Sequence, residues 1–136
     1  MSQENVEVVL EGADAINRRD PDGFIACLHP EVVWEESGDV LPGLRGTYRG
    51  HSEAREWFSQ AYLEVWESFH VEIQEITEAR EGRVFLEWVL TARGMGSGAE
   101  SELRGWNVFG FADGKIAKRQ IFWTRDEALD AAGLSE

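Results

Sequence analysis

The chain reads as an α+β protein in which helices cover one face of a curved, mostly antiparallel sheet. Three observations carry that expectation. Apolar residues recur at helical spacing in the first third of the sequence. Strand-like runs rich in β-branched and aromatic residues fill most of residues 69–124. Glu81-Gly82 and Asp113-Gly114 separate those runs as hairpin turns, because glycine supplies the positive φ that tight turns need. A sheet curved around three N-terminal helices forms a cone with an interior.

Ser2 can cap a first helix whose Val6, Val9, Leu10, Ala13 and Ile16 share a face. Asp20 and Pro21 read as N-cap and first position of a short second helix burying Phe24, Cys27 and Leu28. His29-Pro30 is expected to stop it, since the residue before proline is pushed out of the α region. Val32 to Glu36 has strand character. Residues 37–50 hold four glycines around Tyr48 and read as a loop with one short strand. His51 to Trp66 is expected as a third helix, with Ala54, Trp57, Phe58, Ala61, Val65 and Trp66 on one side. Strands follow at about 69–79, 83–93, 101–112 and 115–124, with a glycine-rich connection from Gly94 to Gly98. A last helix over 126–132 ends at Gly133.

At 136 residues the chain is expected to form one domain, residues 1–136. A chain of this size buries roughly two thirds of its unfolded surface and needs no covalent staples. The net charge of −13 argues against a nucleic-acid partner, which requires clustered Lys and Arg. The lone Cys27 excludes an internal disulfide and fits a reducing compartment. No signal peptide and no membrane-spanning run is read, so a cytoplasmic location is expected. Six tryptophans and seven phenylalanines either build the core or line a cavity.

His29, His51 and His70 lie too far apart for a metal-ligand spacing, so no metal is expected. Gly94-Met95-Gly96-Ser97-Gly98 precedes a strand rather than a helix, so it is no phosphate cradle, and no cofactor is implied. Strand alternation puts Glu36 on the same face as Trp34. Glu36 is then either an exposed strand-end acid or a carboxylate at the rim of an apolar cavity, where desolvation could poise it as a proton acceptor. Asn107 shares a face with Leu103, Phe109 and Phe111, and it must find hydrogen bonds there, from backbone or from a ligand. On the strand over 83–93, Phe85, Glu87 and Val89 alternate with Leu86, Trp88 and Leu90. With both faces largely apolar, a homodimer through the outer sheet face is expected.

Several segments carry a resemblance to a family. They are Met1-Ser2-Gln3-Glu4-Asn5-Val6, Pro30-Glu31-Val32-Val33-Trp34, Tyr48-Arg49-Gly50, Asp113-Gly114-Lys115-Ile116, and the closing run from Asp126 to Leu134. Together they resemble a SnoaL-like group, common in actinobacteria, of the NTF2-like superfamily, over nearly the whole chain. The resemblance implies the cone-like NTF2/cystatin-like fold with one internal pocket for a small apolar molecule. Members of that family include polyketide cyclases, isomerases, hydrolases and dehydratases, and fold does not imply function. Comparison with ketosteroid isomerase, which uses an Asp base and an oxyanion hole of a Tyr and a protonated Asp, places Glu36 at the base position. It places Asn107 at the protonated-acid position, where the amide can donate the same bond. The isomerase tyrosine falls on Gly12. Many relatives carry a histidine where Asn107 stands and an aspartate where Thr124 stands, so known steroid and polyketide chemistries are not implied.

The expected function is binding of a small hydrophobic or aromatic molecule by Trp34, Tyr48, Phe58, Tyr62, Phe109 and Trp123. Glu36 and Asn107 either catalyse a cofactor-independent proton transfer or orient the ligand without chemistry. A third alternative is a dimeric scaffold whose interior is filled by the tryptophans.

Overall fold

The computed structural model describes residues 2–36, 44 and 46–134. Helix α1 (Ser2–Asn17) leads into α2 (Pro21–Ala26), β1 (Leu28–Glu35), β2 (Thr47–Arg49) and α3 (Gly50–Phe58). A single π-helical turn, Ser59–Leu63, follows α3. Four strands then run as a meander, β3 (Trp66–Glu78), β4 (Val84–Gly94), β5 (Glu100–Ala112) and β6 (Lys115–Phe122), before α4 (Arg125–Ala132). The sheet order is β2-β1-β6-β5-β4-β3, antiparallel throughout except where β1 lies parallel to β6.

Local chemistry explains the boundaries. Asp20 accepts a bond from the Gly23 amide at 3.0 Å, satisfying a helix-end donor, and Pro21 opens α2 with its preset φ. The β5–β6 turn places Asp113 at φ 54° and Gly114 at φ 76°, the left-handed pair that matches strand twist. Gly133 closes α4 at φ 75°. The capping role expected of Ser2 falls on a side chain outside the described residues, as does most of the loop between β1 and β2.

Two expected boundaries are corrected. α2 ends at Ala26, before His29-Pro30, and those two residues lie inside β1. Pairing of β1 with β6 breaks between Leu28 and Val33, so Pro30 occupies a stretch where its missing N–H removes no ladder bond. The third helix does not reach Trp66. The Glu64 amide bonds to the Ser59 carbonyl at 2.8 Å, a five-residue closure that breaks the helical period, and Trp66 opens β3 three residues earlier than expected.

The main core lies between α1–α3 and the inward face of the sheet, around Val9, Phe24, Trp34, Trp57, Leu86 and Phe109. A smaller cluster sits on the outer face, where Ala128 and Ala132 of α4 pack on Phe85 and Val108. The rest of that face carries charge: Arg125 bonds Glu75 and Glu87, and Arg104 bonds Glu87. The expectation of a dimer rested on an apolar outer face, and the chain's own α4 covers the part of it around Phe85 and Val108. No helix among the described residues is long and apolar enough to cross a membrane.

Candidate functional site: an aromatic cavity with a buried ion pair

Between the helices and the sheet lies an internal cavity of about 90 Å³, several times the space a single water needs. Its walls are mostly rings and aliphatic chains, including Trp34, Trp57, Trp88, Leu90, Phe109 and Trp123. Among the described residues the charged and amide side chains that line it are Glu36, Asn107 and Arg119, and the Tyr62 phenol lines it too. The cavity answers the scaffold alternative, which required a filled interior near Glu36.

Glu36 lines the cavity beside Trp34, as alternation required. It is not a lone carboxylate in an apolar rim. Its Oε2 accepts from Trp57 Nε1 at 2.6 Å and from Arg119 Nη1 at 3.1 Å. The Arg119 side chain is 4% exposed and that of Glu36 11%, so this is a buried ion pair. The guanidinium also donates to the Glu35 carbonyl at 2.7 Å and lies 4.8 Å from the Trp34 ring and 5.3 Å from that of Trp57. A cation that has lost water is thus held by a counter-charge, a carbonyl and two ring faces.

Arg119 faces inward because of a register shift. Gly110 pairs with Lys118 and Phe111 with Ile116, so β6 carries one extra residue there. Ile116, Arg119 and Ile121 are all buried, a spacing of three and then two. A bulge turns every later side chain to the other face.

Asn107 is buried, and its Oδ1 accepts from Trp88 Nε1 at 3.1 Å. An indole N–H can only donate, so this bond fixes the amide with its NH₂ away from Trp88. Gly105 makes the contact sterically feasible. It pairs with Trp88 across β4 and β5, and a Cβ there would lie 2.3 Å from the Trp88 ring. The indole therefore occupies the space of an absent side chain.

Tyr62 projects from the π turn and packs against the rings of Trp57, Phe58 and Phe69. Burial pushes its hydroxyl up to about 12, while Arg119 draws it down and Glu36 pushes it up. The folded chain therefore holds this proton more tightly than the unfolded chain, whose tyrosines titrate near 10. The associated stability is complete below pH 10 and is lost as pH rises from about 10 through about 12. Urea denaturation across that range should show Tyr62→Phe losing less stability than the parent, by on the order of 2 kcal/mol at the alkaline end. Equal alkaline slopes would contradict the assignment.

Of the expected ligand-binding residues, Trp34, Tyr62, Phe109 and Trp123 line the cavity. Tyr48 and Phe58 do not. Both are fully buried in the layer behind it, where the Tyr48 hydroxyl donates to Gln60 Oε1 at 2.8 Å and Phe58 stacks near Phe24. Thr124 caps α4 by accepting from the Glu127 amide, and Gly12 lines the cavity wall. Sequence reasoning missed Arg119, Trp57 as a donor, and the Trp88–Gly105 fit. Among the described residues no three His, Cys, Asp or Glu side chains gather as a metal site.

Comparison with known proteins follows the same lines. The model for the SnoaL-like domain matches residues 9–119. Among curated proteins none matches the sequence. Among solved structures, an NTF2-like protein of unknown function from Burkholderia pseudomallei is 26% identical, over 97% of this chain and 98% of its own, with a TM-score of 0.78. TerC, co-crystallised with polyporic acid, is 22% identical over 97% and 99% of the two chains, with a TM-score of 0.77. A Mycobacterium tuberculosis protein in complex with estradiol-17β-hemisuccinate is 17% identical over 90% and 95%, with a TM-score of 0.75. With its cone of helices and curved sheet and a family match over most of its length, this chain belongs to the SnoaL-like domain family.

Proposed function

We propose that the chain binds a small hydrophobic or aromatic molecule in its cavity, with Glu36, Arg119 and Asn107 orienting the molecule's polar end. The observation that carries this reading is the make-up of the lining. Rings and aliphatic chains form most of it, and among the described residues the charged and amide groups in it are Glu36, Arg119 and Asn107. Such a lining suits a ligand that is apolar over most of its surface and carries a few polar groups. The small-molecule complexes of TerC and of the mycobacterial protein support the same class of ligand.

A second reading adds proton-transfer chemistry of the isomerase or cyclase type, with Glu36 as base and the Asn107 amide as oxyanion donor. Its support is that, among the described residues, both bonds to Glu36 fall on Oε2, leaving Oε1 for a substrate. Against it stands Arg119. Protonating Glu36 would leave a buried guanidinium without its counter-charge. That cost favours the binding reading.

Glu36→Gln separates the two. On a carbonyl substrate found by screening, loss of a general base should lower turnover by about 10²–10⁴-fold, whereas a purely orienting role shifts affinity alone. Binding is measured by quenching of the cavity tryptophans. If no ring compound at millimolar concentration perturbs that fluorescence, the binding reading fails.

A further inference from the structure

We infer that Arg119 sets the specificity of the cavity, selecting ring compounds that present a planar pair of oxygens, such as a carboxylate, over plain hydrocarbons. This deepens the binding reading above and rests on it. The argument is a count of donors and acceptors on the polar residues that line the cavity.

A guanidinium carries five N–H donors in a rigid fork. Among the described residues only Nη1 is engaged, by the Glu35 carbonyl and Glu36 Oε2. Nε is buried without a partner. Nε and Nη2 form one edge of the fork, the edge that meets two oxygens side by side. Asn107 turns its acceptor to Trp88, so only its NH₂ remains to be offered. Tyr62 keeps its proton over the physiological range and adds an O–H. Against these donors, among the described residues, stand the Glu36 Oε1 and the Tyr62 hydroxyl oxygen as acceptors. Buried donors left unpaired cost folding energy, so the best occupant is rich in acceptors. An amine or a bare hydrocarbon would leave the donors unmet. The net charge of −13 repels anions at long range, but salt screens exposed charges beyond about 8 Å and does far less to a contact made inside the cavity.

The test uses three probes of one shape: 2-naphthoate, 2-acetylnaphthalene and naphthalene. Affinities are measured by calorimetry and tryptophan quenching on the intact chain. Binding should weaken in that order, with naphthoate at least tenfold tighter than naphthalene. The Arg119 Nε–H resonance in ¹⁵N-detected spectra should shift with naphthoate and stay in place with naphthalene. Arg119→Lys keeps a charge for Glu36 but lacks the fork, so the naphthoate-to-naphthalene affinity ratio should fall several-fold. The combined Arg119→Met, Glu36→Gln variant removes the pair without stranding a charge, and it should erase the ratio. Naphthalene binding as tightly as naphthoate, or a ratio unchanged in both variants, overturns the role of Arg119 alone. If none of the three binds, the binding reading falls and takes this inference with it.

Discussion

Replacing Arg119 by methionine should lower stability by about 3–5 kcal/mol, the usual cost of removing one partner from a buried ion pair. The loss is not simply that of the contact. Glu36 keeps its Trp57 bond but is stranded in a largely apolar cavity wall, with its charge no longer answered. The same reasoning fixes the sign of the rescue. Adding Glu36→Gln removes the stranded charge, and the double variant should recover most of the deficit because an uncharged pair of similar volume is often neutral. Urea denaturation of the parent, both single variants and the double closes the cycle. A single variant that loses less than about 1 kcal/mol would show a pair that is solvated in solution.

Truncating Trp57 to alanine should cost about 3–5 kcal/mol, for a different reason. Trp57 is 2% exposed, and its ring centroid lies 4.9 Å from that of Trp34, 5.5 Å from Tyr62 and 5.7 Å from Phe24. Removing the indole empties the middle of that cluster and also takes a donor from Glu36. Trp57→Phe weighs the two contributions, since it keeps most of the ring volume while losing the N–H and part of the fused ring. A loss near 1 kcal/mol is expected there. Thermal unfolding of the three proteins checks the ranking, and a phenylalanine variant as damaged as the alanine one would shift the weight from packing to the hydrogen bond.

Much of this architecture was legible in the sequence because its signals are local. Asp20-Pro21 starts a helix by capping chemistry that spans four residues, and Asp113-Gly114 makes its turn without reference to the rest of the chain. Strand alternation correctly put Trp34 with Glu36 and Asn107 with Phe109, as the cavity lining shows. The partner of Glu36 was not legible. Arg119 lies 83 residues away and sits inside Lys118-Arg119-Gln120, a polar run that reads as solvated strand. Counting by twos from Ile116 sends Arg119 outward, and only the extra residue in β6 turns it in. The end of α3 was hidden for a similar reason, since Val65 and Trp66 suit a helical stripe and a strand equally well. The donors facing Glu36 and Asn107 were missed because tryptophans read as bulk, and their N–H groups acquire direction only once packed.

The parallel seating of β1 beside β6 has a consequence in time. On one side β1 pairs with the nearby β2, but on the other residues 28–34 meet residues 116–119, so this second seam closes a loop of most of the chain. Closing such long loops is the slow, entropically unfavourable part of folding. On the ribosome the helices and the β3–β4 hairpin can form while Lys115–Phe122 is still unsynthesised, and Glu36 then has no guanidinium to meet. The ion pair of the cavity cannot form before the last strand sits beside the first.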